Sequence, residues 1–450
     1  MVNNRIKNTF VIIISGMGML LSTLDTGVIN VALPFLEKQF NTTTAITTLS
    51  VVGYTMSLAI FILPFGLLSD KFGKLRISYI GLLIFGISSI FCGLANNINS
   101  LIIFRIFQGI GAAALQSTSA ALITTLVDKD KRSNAISILG VMIGLGPILG
   151  PSVGGFFLSL NLWRFIFWIN VPLAMIGIMC NQFLISHIDE NKQKVRFDIK
   201  GSIINSFMVI LFLSGLSLLA KQDDLKFSIF LIAAGILMGV ILYRVEISSK
   251  KAIIDIQTLH DKPKILVYLV QTVVFGFASA MIFLLPPFLF EKVFHINVGM
   301  TGILVLGAPL GLVIFSKISG KQNDGLKNRQ FSLIGLIIMA ISMIGLLLVN
   351  NNWTAVLVTL FLFIYGIGGG HFQPANIAII MSSGGKNSQG SIGALQRMIQ
   401  NIAIATGTTI GSTIISLLKN DLSLGIKICW SMTLILVAFV ILLDIVFNQK

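Results

Sequence analysis

Asp25 stands in the run TLDTGVINVALP, inside a long apolar stretch near the start of the chain. A carboxylate within a membrane span is costly, so its presence marks a site that binds or moves charge. One cation answers it. Arg105 lies in LIIFRIFQGIGAAALQ, a second apolar stretch, and Gln108, Ala112, Gln116 and Ser119 follow it at helical spacing. A rise of 1.5 Å per residue puts Asp25 about 24 Å beyond Thr9 and Arg105 about 7 Å in from Ser100. In a hydrocarbon core of about 30 Å the two share one depth, in the outer half. Two other readings compete with a functional pair: a purely structural ion pair, and an Arg105 that snorkels to the outer interface.

Two further patterns bear on movement. The segment GLLSDKFGKLR spaces Gly66, Asp70 and Gly73 as G-x3-D-x2-G, with Lys71, Lys74 and Arg76 around the acid. Glycines allow a tight turn, and an acid among bases can hold one conformation closed at the inner face. A weaker copy, Gly320, Asp324 and Gly325, falls in the corresponding place of the second half and points to an internal repeat. The segment GLGPILGPSVGG concentrates Gly144, Gly146, Pro147, Gly150, Pro151, Gly154 and Gly155. Proline removes helix hydrogen bonds and glycine permits close approach, so this helix is expected to bend, pack tightly and take part in conformational change.

The elements that must carry these residues are membrane helices. Of 450 residues, 55% are hydrophobic and 11% charged, with a mean hydropathy of +0.92. A soluble domain carries about 25% charged residues. Runs of bilayer-crossing length fall at about 9–33, 46–69, 75–95, 100–126, 133–159, 162–186, 202–220, 226–244, 264–290, 297–319, 330–349, 353–382, 390–418 and 423–447. The expected fold is therefore all-α and polytopic, with fourteen spans. With the N-terminus inside, inner loops hold 23 of the 32 Lys and Arg, and outer loops hold 7. That bias places both termini on the cytoplasmic side. It also accounts for the net charge of +15 as topology rather than nucleic-acid binding. The basic N-terminus MVNNRIKN leads into an uncleaved first span.

Longer inner loops at 187–201 and 245–263 divide the chain into six spans, an inserted pair and six more. The expected units are residues 1–186, 187–263 and 264–450. Cys92, Cys180 and Cys429 are single and form no CxxC motif. The four histidines are scattered, so no metal site is expected. No phosphate-cradling GxxxxGK[ST] occurs, which leaves an ion gradient rather than ATP as the energy source, and no cofactor is expected.

Together these signatures resemble the major facilitator superfamily, and in particular its fourteen-helix drug:proton antiporters. GPILGPSVGG is similar to the mark of that superfamily's exporters. Asp25, Asn30, Ala32 and Pro34, with WRFIFWINVP at 163–172, resemble the fourteen-helix group. The resemblance implies a bacterial cytoplasmic-membrane exporter of amphipathic drugs, dyes or quaternary ammonium compounds, acting as a monomer and driven by protons. It gives Asp25 a part in proton coupling, Arg105 a part in tuning it, and the 70–76 cluster a gating role. A lipid or metabolite exporter on the same fold is the nearest alternative. A membrane-embedded transferase is a distant one, because no convergent nucleophile, base or metal set is visible.

Polarity within spans nominates the cavity lining. From the first half come Asp25, Arg105, Gln108 and Gln116. From the second come Gln271, Phe275, His371, Gln373, Asn376, Gln396 and Gln400. Arg397, about two turns from the inner end of its span, fits snorkelling as well as cavity lining. Glu291 lies near a span end, with His371 a second reserve candidate for a proton group. Asn30 falls off the Asp25 face by helical spacing, which suggests a structural role for it.

Overall fold

The computed structural model describes residues 4–128, 130–188, 190, 198–219, 224–248, 264–323, 327–349, 354–383 and 389–448. Asp324 and Gly325 of the second inner-loop motif lie outside the described residues. Within them the chain forms fourteen long helices. The first six are α1 (Asn4–Gln39), α2 (Thr44–Phe72), α3 (Lys74–Leu94), α4 (Ile98–Leu126), α5 (Arg132–Ser159) and α6 (Asn170–Ile185), the last led in by a single turn, Phe165–Trp168. Then come α7 (Ile199–Leu218) and α8 (Leu225–Ser248). The last six open with α9 (Lys264–Phe288), which runs on into a π turn, Leu289–Val293, and α10, in two pieces, Val298–Leu304 and Gly307–Gln322. They close with α11 (Asn328–Leu347), α12 (Ala355–Ser383), α13 (Gln389–Leu417) and α14 (Leu422–Asn448). Twelve of the fourteen are long and apolar enough to cross a membrane by length and composition alone.

Helices are the form in which a chain in lipid satisfies its own backbone. Their ends are set by short polar residues. The side chains of Thr43, Asn97 and Asn297 accept from Ile46, Ser100 and Met300 backbone N–H groups and start α2, α4 and α10. Gly73, at φ 107°, makes the sharp turn from α2 to α3. The perimeter is apolar and bare, as lipid requires: Met179 and Phe230 are 70% and 65% exposed.

The two sets of six helices repeat one packing plan. In the first, α1 packs on α5, α4 on both α2 and α3, and α3 on α6. In the second, α9 packs on α13, α12 on both α10 and α11, and α11 on α14. The sets meet through α2 against α13 and α5 against α10, which are equivalent under the same repeat, and through α1 against α9. The inserted α7 and α8 pack on each other, and α7 lies against α2 and α13 at the margin. A buried apolar cluster runs across the junction, with Leu24 and Val28 of α1 and Met281 and Leu285 of α9 among its members.

The glycine-rich segment of α5 serves two interfaces. A Cβ on Gly150 would stand 2.8 Å from both the Gly27 Cα and the Leu24 carbonyl of α1. A Cβ on Gly155 would stand 3.0 Å from the Gly302 Cα of α10. The first contact is internal to one set of helices, whereas the second joins the two sets.

Candidate functional site

Asp25 is 2% exposed and Arg105 is fully buried. An Arg105 Nη1 donates to Asp25 Oδ2 and also to Gln108 Oε1, at 2.7 Å in the latter case. The Arg105 Nε donates to the Ser50 carbonyl at 3.2 Å. Gln108 Nε2 donates to Asp25 Oδ1 and to Ser89 Oγ, both at 2.9 Å. Asn170 Nδ2, from α6, adds a third donor to the Asp25 carboxylate, at 3.1 Å from Oδ1. The acid is thus held by α4 and α6 while α1 presents it. Equal depth on α1 and α4, read from helical rise, is what lets the pair meet.

This cluster is shut off from the middle of the molecule by Tyr54. The Arg105 guanidinium lies over the Tyr54 ring, 4.3 Å from its centroid, and the Tyr54 hydroxyl donates to the Ser22 carbonyl at 3.1 Å. Tyr54 also lines a central cavity of about 250 Å³ between the two sets of helices. Its first-half wall carries Ser22, Thr26 and Asn30 of α1, one turn apart, and Gln116, whose Nε2 donates to Ser22 Oγ at 2.6 Å. Its second-half wall carries Phe275 and Phe283 of α9, Gln373 of α12, and Arg397, Gln400, Asn401 and Thr408 of α13.

The nominated residues divide accordingly. Gln116, Phe275, Gln373 and Gln400 line the cavity, and so does Arg397. Asp25, Arg105 and Gln108 form the sealed cluster behind Tyr54. Gln396 donates to Gln400 Oε1 at 3.2 Å. Gln271 donates to Asp444 at 3.3 Å and accepts from Ser332, within a separate polar group completed by Arg329. Asn376 donates to the Tyr268 carbonyl at 3.2 Å. His371 lies between the Phe315 and Phe331 rings, with its Nδ1 2.9 Å from the Ile367 carbonyl. Asn30, expected off the Asp25 face with a structural role, lines the cavity, which is what that other face of α1 meets. Ser22, Thr26, Tyr54, Asn401 and Thr408 were not among the nominated residues. The i, i+4 spacing of Ser22, Thr26 and Asn30 was the available signal. Asn170 stood in plain view within WRFIFWINVP, without a cue to its partner.

The ends of the molecule complete the geometry. On the outer side, Lys292 Nζ in the π turn of α9 reaches Glu37 Oε1 of α1 at 2.7 Å, and Thr44 donates to the other Glu37 oxygen at 2.8 Å. Glu291 sits beside this bridge, with a buried carboxylate oxygen that has no hydrogen-bond partner among the described residues. With Gly155 against Gly302, these contacts tie the two sets of helices together at that end. On the inner side, Asp70 pairs with Lys74 at 2.9 Å. Lys71 and Arg76 are exposed, and Lys71 lies over the Phe72 ring. The Lys74 and Leu75 backbone N–H groups donate to the Glu190 carboxylate at 2.6 and 2.7 Å, so the loop after α6 caps the start of α3. Gly66 has open space around it, whereas Pro151 and Gly154 pack in the α5 interface, Gly154 toward Val28.

Comparison with known proteins agrees with this architecture. The chain is 28% identical over 403 residues to the riboflavin transporter RibZ of Clostridioides difficile (strain 630), covering 90% of this chain and 87% of that protein. It is 26% identical over 420 residues to multidrug resistance protein 3 of Bacillus subtilis (strain 168), covering 90% and 79%. Among solved structures, a peptide transporter POT in complex with sulfate superposes with a TM-score of 0.73 at 14% identity, over 96% of this chain and 93% of that one. A bacterial homolog of the human lysosomal transporter Spinster, in an inward-facing and unoccupied conformation, gives 0.67 at 15% identity, over 98% of each chain. The sequence profile of the Major Facilitator Superfamily matches residues 16–408 and again 267–447: this multi-pass membrane protein belongs to the Major Facilitator Superfamily.

Proposed function

We propose that the protein is a proton-driven exporter of amphipathic small molecules, drugs and dyes among them, in the bacterial cytoplasmic membrane. The observation that carries this reading is the arrangement around Tyr54. Tyr54 touches both parts: the Arg105 guanidinium that pairs with Asp25 lies over its ring, and Tyr54 is among the residues that line a cavity of ligand size. Movement of α1 or α2 that shifts this ring changes the hydration of Asp25 and its hold on Arg105 together. Dehydration favours the neutral acid and a close guanidinium favours the carboxylate, so such a shift loads or releases a proton. The cavity lies where the two sets of helices meet, and rocking of one set against the other exposes it to each side in turn. Opening outward requires the Glu37–Lys292 bridge and the Gly155–Gly302 contact to part.

The test is transport by purified protein in proteoliposomes under an imposed pH gradient. Substrate-dependent proton movement is expected, and collapse of both pH gradient and membrane potential is expected to stop efflux. Efflux that continues unchanged without either gradient would sink the proposal. A second reading, export of a metabolite, is favoured by the polar wall of Gln116, Asn30, Gln373 and Asn401, and by the likeness to a riboflavin transporter. The same vesicles, offered riboflavin in place of a drug, separate the two.

A further inference from the structure

Two arginines lie within the membrane-spanning helices at depth, and their surroundings differ. Arg105 has a carboxylate, an amide and a carbonyl around it. Arg397 is eight residues into α13, about 12 Å from its inner end by helical rise. It lines the central cavity and has no hydrogen-bond or ion-pair partner among the described residues. Among the described residues no acid lines the cavity, and Arg397 is the one charged residue on its walls. A guanidinium in a half-enclosed, largely apolar space lacks both full hydration and a counter-charge. Snorkelling does not describe it, because a snorkelling side chain carries its charge to the interface, whereas this one faces the cavity.

We infer that the cavity is built for an aromatic organic anion, with Arg397 as the group that receives its carboxylate, sulfonate or enolate. The inference rests on the transporter reading above and names its substrate class. The planar fork of the guanidinium matches two oxygens of such an anion. Gln400 and Asn401 stand three and four residues further along α13, on the same face, and supply neighbouring polar contacts. Phe275, Phe283 and Tyr54 offer ring faces and edges for the aromatic body. Asp25, the acid that a cationic cargo would seek, is occupied by three residues behind Tyr54. An inside-negative membrane potential would itself favour outward movement of an anion.

Equilibrium binding to the purified full-length protein tests this without reference to direction or proton coupling. The probes are two dyes on one xanthene core, fluorescein as the anion and rhodamine 6G as the cation, followed by fluorescence anisotropy. Wild type is expected to bind fluorescein at least about tenfold more tightly than rhodamine 6G. Arg397→Gln is expected to lose about tenfold or more for fluorescein while rhodamine 6G changes by less than about threefold. Arg397→Lys should recover part of the loss, since it restores the charge without the fork. Tighter binding of the cation by wild type, undetectable fluorescein binding, or equal weakening of both dyes by Arg397→Gln would each overturn the assignment. Should the variant fail to fold, wild type alone decides: rising salt should weaken fluorescein and spare rhodamine 6G, and the same slope for both counts against the inference. Failure of gradient-driven efflux in proteoliposomes touches the exporter reading alone and leaves this binding result standing.

Discussion

Arg105 and Arg397 are the same side chain in two opposite settings. Arg105 is fully buried and bonded to Asp25, Gln108 and the Ser50 carbonyl, with Tyr54 stacked over it. Arg397 faces a cavity and has no partner among the described residues. A charge that is paired and sealed contributes to holding helices in register and changes state only when the seal moves. A charge left unpaired on a cavity wall is completed by whatever enters. On the reading proposed above, the contrast divides the molecule into a part that stores a charge state and a part that meets cargo, with Tyr54 in contact with both.

The sharpest way to break this contrast is to unpair the sealed side. Asp25→Asn leaves a buried guanidinium without its counter-charge, and Arg105→Gln does the converse. Removing one partner of a buried pair costs about 3–5 kcal/mol. Each single variant should therefore lower thermal stability markedly, in addition to abolishing gradient-driven transport. The double variant Asp25→Asn, Arg105→Gln is neutral at both positions and should recover most of the stability but none of the coupled transport. Melting curves of the three purified variants check the first part, and proton movement in proteoliposomes checks the second. If the single variants melt with wild type, the pair is not sealed in the membrane.

A smaller effect is expected where packing rather than charge joins the regions. Gly150→Ala would bring a methyl to 2.8 Å from the Leu24 carbonyl on the helix that carries Asp25. Overpacking of this kind costs about 1–3 kcal/mol. Gly66→Ala meets nothing within 4 Å among the described residues and should be neutral or slightly stabilising. Measured side by side, the two substitutions show whether Gly66 of α2 and Gly150 of α5 are there for the same reason. Equal losses would mean that the space around Gly66 closes in another conformation of the transport cycle.

Depth along a helix was legible in the sequence, and rotation about its axis was not. Helical rise placed Asp25 and Arg105 level with one another, and they are bonded. Apolar runs located the fourteen helices, because length and hydropathy belong to each helix alone. Facing the cavity belongs to a helix together with its neighbours. Ser22, Thr26 and Asn30 turn to the cavity because α4 and α6 occupy the Asp25 side of α1. Polarity alone could not separate Gln400, on the cavity wall, from Gln271, bonded to Asp444. The break of α10 between Leu304 and Gly307, and the π turn carrying Glu291 and Lys292, left no periodic trace in an apolar run.

The smallest expected effect lies at the inner surface, where a third charged group extends the comparison to water. Asp70 pairs with Lys74 at 2.9 Å, but the Asp70 side chain is 36% exposed. Pairs in such a setting contribute about 0.2–1 kcal/mol, much of it screened by salt. Asp70→Asn should thus change the melting temperature little, and it should leave substrate affinity alone, because Asp70 does not line the cavity. What it can change is the balance between conformations, since the pair sits at the turn from α2 to α3, beside the backbone groups that Glu190 caps. The expected signature is slower turnover at unchanged dye binding, with a shift in the labelling of single cysteines placed at the two ends of the cavity. Loss of dye affinity with no shift in labelling would assign Asp70 to the cargo site instead, and the division between stored charge and cargo charge would then not extend to the inner loop.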